Sequence, residues 1–185
     1  VIIGAPRHSP PLIDPVTGDT VFALYAGASF VVYGSEDAAS PKDLGEIAAG
    51  TGGFRIINQS SFQNPASSVS TAGDVNGDGF DDIIVNTRGF SVDSEVAYVL
   101  FGSEGNVPGV NLQEIALGTN GFRIVDAGLF SGLRTVRSAG DVNGDGIDDL
   151  IIGNSYETEY GSDTGGAWVV FGTTAPSGTV VLEDI

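Results

Sequence analysis

The sequence of 185 residues predicts an all-β protein made of β-propeller blades, each a sheet of four antiparallel strands. Three observations lead to this prediction. Sequence landmarks recur with a period of about 68 residues, each period contains four short strand-like runs, and 28 glycines supply turns between them. At that period the chain holds about 2.7 repeats of a larger ring.

Two copies of one acidic segment establish the period. Residues 138–146 read Ser-Ala-Gly-Asp-Val-Asn-Gly-Asp-Gly and closely repeat residues 71–79, which lie 67 positions earlier. The tripeptide Phe-Arg-Ile recurs with an offset of 68. Pairs of an aromatic residue and glycine recur at 33–34, 101–102 and 171–172, and an isoleucine follows each glycine by 13 residues. Because these landmarks are independent, they indicate tandem structural units.

Each unit predicts four strands and no helix. β-branched, aromatic and small residues form short runs bounded by Gly, Asn and Ser. We place strand A at 67–73, strand B at 82–86, strand C at 95–101 and strand D at 122–125. Alternation along the strands favours a position in the core between blades for the large aromatic side chains; a stacking platform for sugars is the alternative for those of strand C. The aromatic residues concerned are Phe54, Tyr98, Phe101, Phe122, Trp168 and Phe171.

No linker divides the chain, so we predict a single propeller segment that begins inside a strand B. We expect the rest of a parent polypeptide, or self-association, to complete the ring, because open blade edges otherwise pair with other strands. The predicted units are the segment 1–185, a partial blade 1–34 with an inserted loop 7–27, repeats 35–102 and 103–172, and the start of the next repeat at 173–185.

The composition excludes several classes of protein. With 24 acidic and 7 basic residues the formal charge is −17, which argues against binding to nucleic acid, because phosphate backbones select for Lys and Arg. No apolar run is long enough to span a membrane. The absence of Cys removes disulfides and thiolate metal sites, and the absence of Met suggests a processed product or an excised piece. So much negative charge in a compact fold predicts a bound cation.

The acidic segments have the oxygen spacing of a calcium loop. Side chains with oxygen ligands stand at loop positions 1, 3, 5 and 9, and a backbone carbonyl at position 7 adds another ligand. Hard oxygen ligands on a flexible loop favour Ca²⁺ over Mg²⁺, and Zn²⁺ normally requires His or Cys. The predicted ligands of the two sites are Asp74, Asn76, Asp78, Phe80 and Asp82, then Asp141, Asn143, Asp145, Ile147 and Asp149.

Two further features define these loops. Position 12, where an EF-hand carries a bidentate acid, is Val85 or Ile152 within strand B, so each loop joins strands A and B of a hairpin. At position 8, Asp81 and Asp148 are expected to point outward, as a solvated rim or as the start of strand B. The alternative interpretation of both loops is an Asx-rich turn that binds nothing.

The Phe-Gly pairs, the Gly-Ala-Pro at 4–6 and the calcium motif together resemble the FG-GAP repeat of integrin α-subunit propellers and of bacterial surface and secreted proteins. The near-identical loops and the Phe-Arg-Ile segments are more similar to the bacterial members. The resemblance implies a propeller, usually with seven blades, Ca²⁺ in the A–B hairpins on one face, and an adhesive or ligand-binding role. It also implies an extracellular or cell-surface location.

Ligand contacts are predicted on the face opposite the calcium loops, where the B–C connections emerge. The inserted loop supplies the candidate ligand-binding residues Arg7, His8 and Tyr25, for a protein or glycan partner. An extra hairpin without a binding role is the alternative for this insertion. We find no catalytic motif and predict that the chain is not an enzyme; a propeller-based polysaccharide lyase or hydrolase and a structural spacer are the alternative functions.

Overall fold

The computed structural model describes most of the chain in segments. The described residues are 2–5, 11–13, 20–22, 28–34, 43–57, 63–89, 96–105, 107, 109–126, 133–154, 166–176 and 178–182.

Within these residues the elements are mostly short strands. In chain order they are β1 (Ile2–Ala5), β2 (Pro11–Ile13), β3 (Thr20–Phe22), β4 (Ala28–Val32), α1 (Leu44–Ala48), β5 (Gly53–Ile57), β6 (Gln63–Gly73), β7 (Asp82–Gly89), β8 (Val96–Leu100), β9 (Val110–Asn111), α2 (Leu112–Ala116), β10 (Gly121–Asp126), β11 (Leu133–Gly140), β12 (Asp149–Asn154), β13 (Gly166–Val170) and β14 (Thr179–Leu182). The predicted all-β, propeller-like class is confirmed.

The central sheet contains the four strands predicted for one blade. Strands β6, β7, β8 and β10 pair antiparallel in that order and correspond to the predicted strands A, B, C and D. The predicted boundaries are close, except that β6 begins four residues earlier and β7 ends three residues later than expected. The A–B pairing is irregular just before the acidic loop, between Thr71 and Gly73, and β11 has the same irregularity between Ser138 and Gly140.

Two further sheets flank the central one. The first contains β1, β4, β5 and β9, and the third contains β11, β12 and β13. Within the inserted loop 7–27, β2 and β3 pair as an antiparallel two-stranded sheet, as the alternative of an extra hairpin predicted. Arg7, His8 and Tyr25 lie outside the described residues, so their assignment as ligand-binding residues stays a prediction.

The connection between strands C and D differs from the prediction, because it contains helix. Asp43 caps α1 by accepting a hydrogen bond from the Gly45 amide (2.6 Å), and Asn111 caps α2 in the same way. Each five-residue helix buries one of the periodic isoleucines, Ile47 or Ile115. Among the described residues no helix is long and apolar enough to cross a membrane.

The same connections also link neighbouring blades by strand addition. β9 pairs parallel with β5 of the first sheet, and β14 pairs parallel with β10 of the central sheet. In each case residues of the C–D connection of one blade extend the outer edge of the preceding blade. An outer edge that is paired in this way is protected from association with other chains.

Both faces of the central sheet are buried, because it lies between the other two sheets. Alternate residues point to opposite faces: Ile84 and Val99 pack against Val136 and Ile152 of the third sheet. Val85, Tyr98 and Leu100 pack instead against the first sheet and α2. The recurring aromatic landmarks meet within single blades, where Phe101 lies 6.0 Å from Phe122 and Tyr33 lies 6.1 Å from Phe54, measured between ring centroids.

In the part of the chain that the structure describes, the third sheet is covered on one face only. Ile151 is 43% exposed, although its counterpart in the central sheet, Ile84, is fully buried. The prediction that Phe171 belongs to the core is wrong for the described structure, since its side chain is 58% exposed. Phe171 lies at the end of β13, and no described element packs over that face as the third sheet packs over the central one. The core assignments of Phe54, Phe122 and Tyr98 are confirmed.

The different burial of Ile84 and Ile151 predicts that substitution by alanine lowers the free energy of unfolding by different amounts at these two equivalent positions. Ile84→Ala removes buried methyl groups and leaves a cavity between two sheets, so it should lower the free energy of unfolding by about 2–5 kcal/mol. Ile151→Ala at the half-exposed position should lower it by less than about 1 kcal/mol. Urea unfolding followed by Trp168 fluorescence measures both, and equal losses would contradict the assigned packing.

Candidate metal-binding loops

The two acidic loops connect the first two strands of neighbouring blades. Residues 74–81 join β6 to β7, and residues 141–148 join β11 to β12. The backbone turns sharply where the sequence places glycine: Gly79 has a φ of 90° and Gly146 a φ of 89°, in the region that side chains rarely adopt. Glycine at these two positions therefore permits the turn.

The first aspartate of each loop organises the backbone around its carboxylate. In the first loop, Asp74 Oδ1 accepts hydrogen bonds from the amides of Gly77 (2.8 Å) and Asp78 (3.1 Å), and its Oδ2 accepts one from Gly79 (2.8 Å). In the second loop, Asp141 accepts three bonds from the equivalent amides. Three converging N–H groups hold each loop in a tight curve around one negative charge.

Positions 3 and 5 continue the same pattern. Asn76 Oδ1 accepts from the Asp78 amide (2.9 Å), and Asp78 Oδ1 accepts from the Phe80 amide (2.9 Å). Asn76 Nδ2 also donates to Asp78 Oδ2 (2.8 Å). In the second loop, Asn143 and Asp145 form the same three bonds, and their lengths differ from those of the first loop by no more than 0.1 Å. The two loops therefore adopt one conformation despite their different surroundings.

The aspartate at position 9 is buried and joins three parts of the blade. Asp82 Oδ2 accepts from the Val75 amide (2.9 Å) within the loop, and its Oδ1 accepts from the Gly102 amide (2.8 Å) after strand β8. Asp149 makes the equivalent bonds to Val142 and Gly172. This carboxylate therefore fixes both the loop and the end of the third strand.

These contacts explain the glycine of each Phe-Gly pair. A Cβ on Gly102 would lie 2.5 Å from the Asp81 carbonyl oxygen and 2.8 Å from the Phe80 Cβ. A Cβ on Gly172 would meet Asp148 and Ile147 in the same way. Sequence reasoning treated these glycines only as landmarks. Gly102 follows Asp82 by 20 residues and Gly172 follows Asp149 by 23, and this similar spacing was the signal that could have placed both glycines at the site.

Burial and hydrogen bonds act in opposite directions on the pKa values of the carboxylates. The pKa of Asp82 is raised to about 6, because burial and the charges of Asp78 and Asp74 raise it by more than the bonds from the Gly102 and Val75 amides lower it. The pKa of the exposed Asp141 is lowered, chiefly by the Gly146 amide. The base of the first loop thus holds a carboxylate that carries its charge at a cost.

Asp148 does not point outward as predicted. Its carboxylate crosses to the preceding blade, where Oδ2 accepts from the Asp74 amide (3.0 Å), and its own amide donates to the Asp74 carbonyl (2.9 Å). The equivalent residue of the first loop, Asp81, is exposed as expected. Position 8 differs between the two loops because Asp148 reaches back to the acidic loop of the preceding blade, whereas the described residues contain no acidic loop before that of Asp81.

All ten predicted metal ligands lie within the described residues, grouped in their two loops. Among the described residues no group of three or more acidic or histidine side chains is arranged so that it could hold a metal ion as it stands. A cleft of about 600 Å³ lies beside the first loop and is lined by Phe54, Phe80 and Phe101 together with Asp78 and Asp81. This cleft is on the loop side of the blades. The B–C connections at 90–95 and 155–165, on the predicted ligand face, fall outside the described residues.

Comparison with known proteins matches the repeats that contain the loops. The FG-GAP repeat family matches residues 66–100 and 138–170, each of which includes one acidic loop. The chain is also similar to integrin alpha-2 of the mouse, Mus musculus, with 31% identity over 121 residues. That match covers 60% of this chain and 10% of the integrin, so the chain spans about a tenth of the length of this relative.

The raised pKa of Asp82 predicts a pH dependence of stability in the metal-free protein. Because the folded pKa of about 6 exceeds the ordinary value of 3.8, the proton stabilises the fold at low pH, and this contribution is lost as the pH rises through about 6. Asp82→Asn removes this pH-dependent contribution to the free energy of unfolding. The stability advantage of the wild type over D82N should therefore fall by about 2–3 kcal/mol between about pH 4 and pH 7.

Urea unfolding of both proteins after removal of metal ions measures this difference. Carboxylates that do not interact with Asp82 contribute equally in the two proteins, so their contributions cancel in the comparison. A constant difference between wild type and D82N across this range would show that Asp82 is ionised without a burial cost.

Proposed function

From the two FG-GAP repeats and the integrin-alpha-like propeller fold of this chain, we propose that it is a calcium-binding propeller segment that acts as an extracellular adhesion or ligand-binding module. The observation that carries the proposal is the shared conformation of the two loops. Each loop directs the same backbone amides at the same carboxylates, although one loop is covered by a neighbouring blade and the other is open. The bacterial type suggested by the sequence stays a prediction.

The donor set fits calcium. A carboxylate has about four lone-pair sites, and the amide bonds use three of those on Asp74 and two of those on Asp78, counting the bond from Asn76. Oxygen acceptor sites therefore remain at positions 1 and 5, with the Phe80 carbonyl close by in sequence. We propose that Asp74, Asn76, Asp78, Phe80 and Asp82 hold one ion, and that the equivalent residues 141–149 hold a second.

The electrostatics of the first loop favour a bound cation. Asp74 and Asp78 raise the pKa of the buried Asp82 by repulsion, so the three charges destabilise one another. When bound, calcium supplies positive charge that offsets this repulsion and replaces water around the oxygens. Folding and cation binding are then linked, because only the folded loop brings these oxygens together. In a chain without Cys, this linkage would take the stabilising role that disulfides have in many extracellular proteins.

The proposed ligand is a protein or a glycan, and the proposed role is binding without catalysis. Loops on a rigid sheet scaffold commonly carry recognition, and the B–C connections and the inserted loop 7–27 provide such loops opposite the acidic ones. We propose that further blades, from the same polypeptide or from other copies, complete the ring around this segment.

Immobilised chain should capture members of a matrix-protein and glycan panel in calcium and release them in chelator, with no cleavage products. Turnover of any panel member would instead support the lyase or hydrolase alternative.

Removal of single carboxylates predicts a stepwise loss of calcium. The wild type should bind two ions per chain, D78N and D145N one each, and the double variant none, because each substitution removes charge from one loop while keeping the size of the side chain and the oxygen that accepts from position 7. Calcium should raise the Tm of the wild type by several degrees, and the double variant should lose this shift. Isothermal titration calorimetry and thermal unfolding monitored by circular dichroism measure both effects.

Glu46→Gln is the matched control, since it removes the same charge from exposed helix α1 and should still bind two ions. A melting curve of the wild type that does not change between micromolar and millimolar calcium would refute the calcium proposal. In that case both loops act as Asx-rich turns.

A further inference from the structure

Three hydrogen bonds join the first acidic loop to the next blade. Two of them connect Asp74 and Asp148 reciprocally, and in the third the Thr173 amide donates to the Val75 carbonyl (3.0 Å). On the first loop, the backbone groups that form these three bonds belong to its first two residues, Asp74 and Val75. The next blade therefore holds the backbone at the start of this loop, on which the proposed position 1 ligand stands.

The second loop provides an internal comparison, because it has the same conformation and no described residues of a further blade contact it. Val75 is 2% exposed, whereas its counterpart Val142 is 57% exposed. A Cβ on Gly73 would collide with the Asp148 carboxylate, while a Cβ on Gly140 would meet nothing within 4 Å. Both glycines have left-handed backbone, with φ of 77° and 69°. The two positions therefore differ in their neighbour and not in their own geometry.

We propose that Asp148 is an inter-repeat positioning residue, which sets the cation affinity of the loop 74–82 although it belongs to the loop 141–149. The proposal rests on the calcium-binding function proposed above. Asp148 touches no predicted ligand atom of the first loop; it holds the backbone of Asp74 on both sides of its Cα. Fixing this backbone reduces the ordering that cation binding must otherwise impose on the loop.

The two acidic loops are coupled because the contact between Asp148 and Asp74 requires the third sheet and the central sheet to be packed together. Asp148 reaches Asp74 only while the third sheet is packed on the central sheet through Val136, Leu150 and Ile152. Order in the second loop thereby supports order in the first, and cation binding at one loop favours binding at the other. By linkage the effect is reciprocal, so binding to the first loop also stabilises the contact between the sheets.

Single-site proteins test where Asp148 acts. D145N leaves only the first site and D78N leaves only the second. In the D145N protein, D148A should weaken calcium binding about tenfold, because the bond to the Asp74 amide is lost. In the D78N protein the same substitution should change affinity by less than about twofold. D148N keeps a side-chain oxygen as acceptor and should restore the first site to within about twofold of the parent.

Asp81→Ala is the matched control, because Asp81 occupies position 8 of the other loop and is exposed. It should leave the affinity of both sites within about twofold. Unchanged binding at the first site in D148A, or an equal or larger loss at the second site, would overturn the proposal. A loss in D148N as large as that in D148A would also overturn it, since Asp148 would then act through its charge and not by positioning.

A second experiment in chelator tests the inter-repeat contact without calcium. Gly73→Ala should lower the Tm more than Gly140→Ala, because only the former meets Asp148 in addition to the cost of its φ. In the D148A background the difference between the two glycine substitutions should become smaller, because D148A removes the carboxylate and leaves only the Cβ, 2.9 Å from a Cβ on Gly73. If G73A fails to fold, D148A should restore folding.

The two experiments separate the possible failures. Absence of calcium binding in the wild type, together with coupling of Gly73 and Asp148 in chelator, would refute the calcium function and leave Asp148 as a structural link only. Additive effects of G73A and D148A on Tm would refute the contact itself, and with it the positioning role.

Discussion

The structure of each blade depends on one buried carboxylate at the ninth position of its acidic loop. Asp82 and Asp149 are each almost fully buried, and each accepts one amide from its own loop and one from the glycine that follows the third strand. Without this acceptor, two backbone N–H groups per blade would be left without a partner close to the core. The loop, its hairpin and the glycine after strand C are therefore constrained together, and this constraint explains why they share one period in the sequence.

The strands were predictable because their signals are local. Runs of β-branched and aromatic residues between turn formers predicted β6, β7, β8 and β10 to within a few residues. The helices were missed because five residues are too few to show a period of 3.6: α1 buries Ile47, and α2 buries Leu112 and Ile115. The parallel additions of β9 and β14 could not be predicted either, since both strands pair with the preceding blade and their residues show no local sign of it.

The acidic loops likewise have some features that could be predicted from the sequence and others that could not. The spacing of Asp74, Asn76 and Asp78 predicted a loop that curves around its acidic side chains, and the structure forms that loop twice. The position of Asp148 was not predictable from spacing, because the outcome at position 8 depends on the adjacent blade. Asp81 and Asp148 have equivalent sequence surroundings, yet one is exposed and the other bonds to Asp74. The sequence predicts which side chains face the centre of a loop. The contacts of the side chains that face away depend on the neighbouring repeat.

This dependence on neighbours has an energetic consequence. In a repeat protein, stability is approximately the sum of the stability of each repeat and of each interface between adjacent repeats. Equivalent residues such as Ile84 and Ile151 have the same side chain and opposite burial, so their difference measures the interface term alone. The same holds for Val75 and Val142 at the loops. An acidic loop with a neighbouring blade thus has interface contacts that an equivalent loop without one lacks, and the stability of such a loop in this fold is a property of two repeats together.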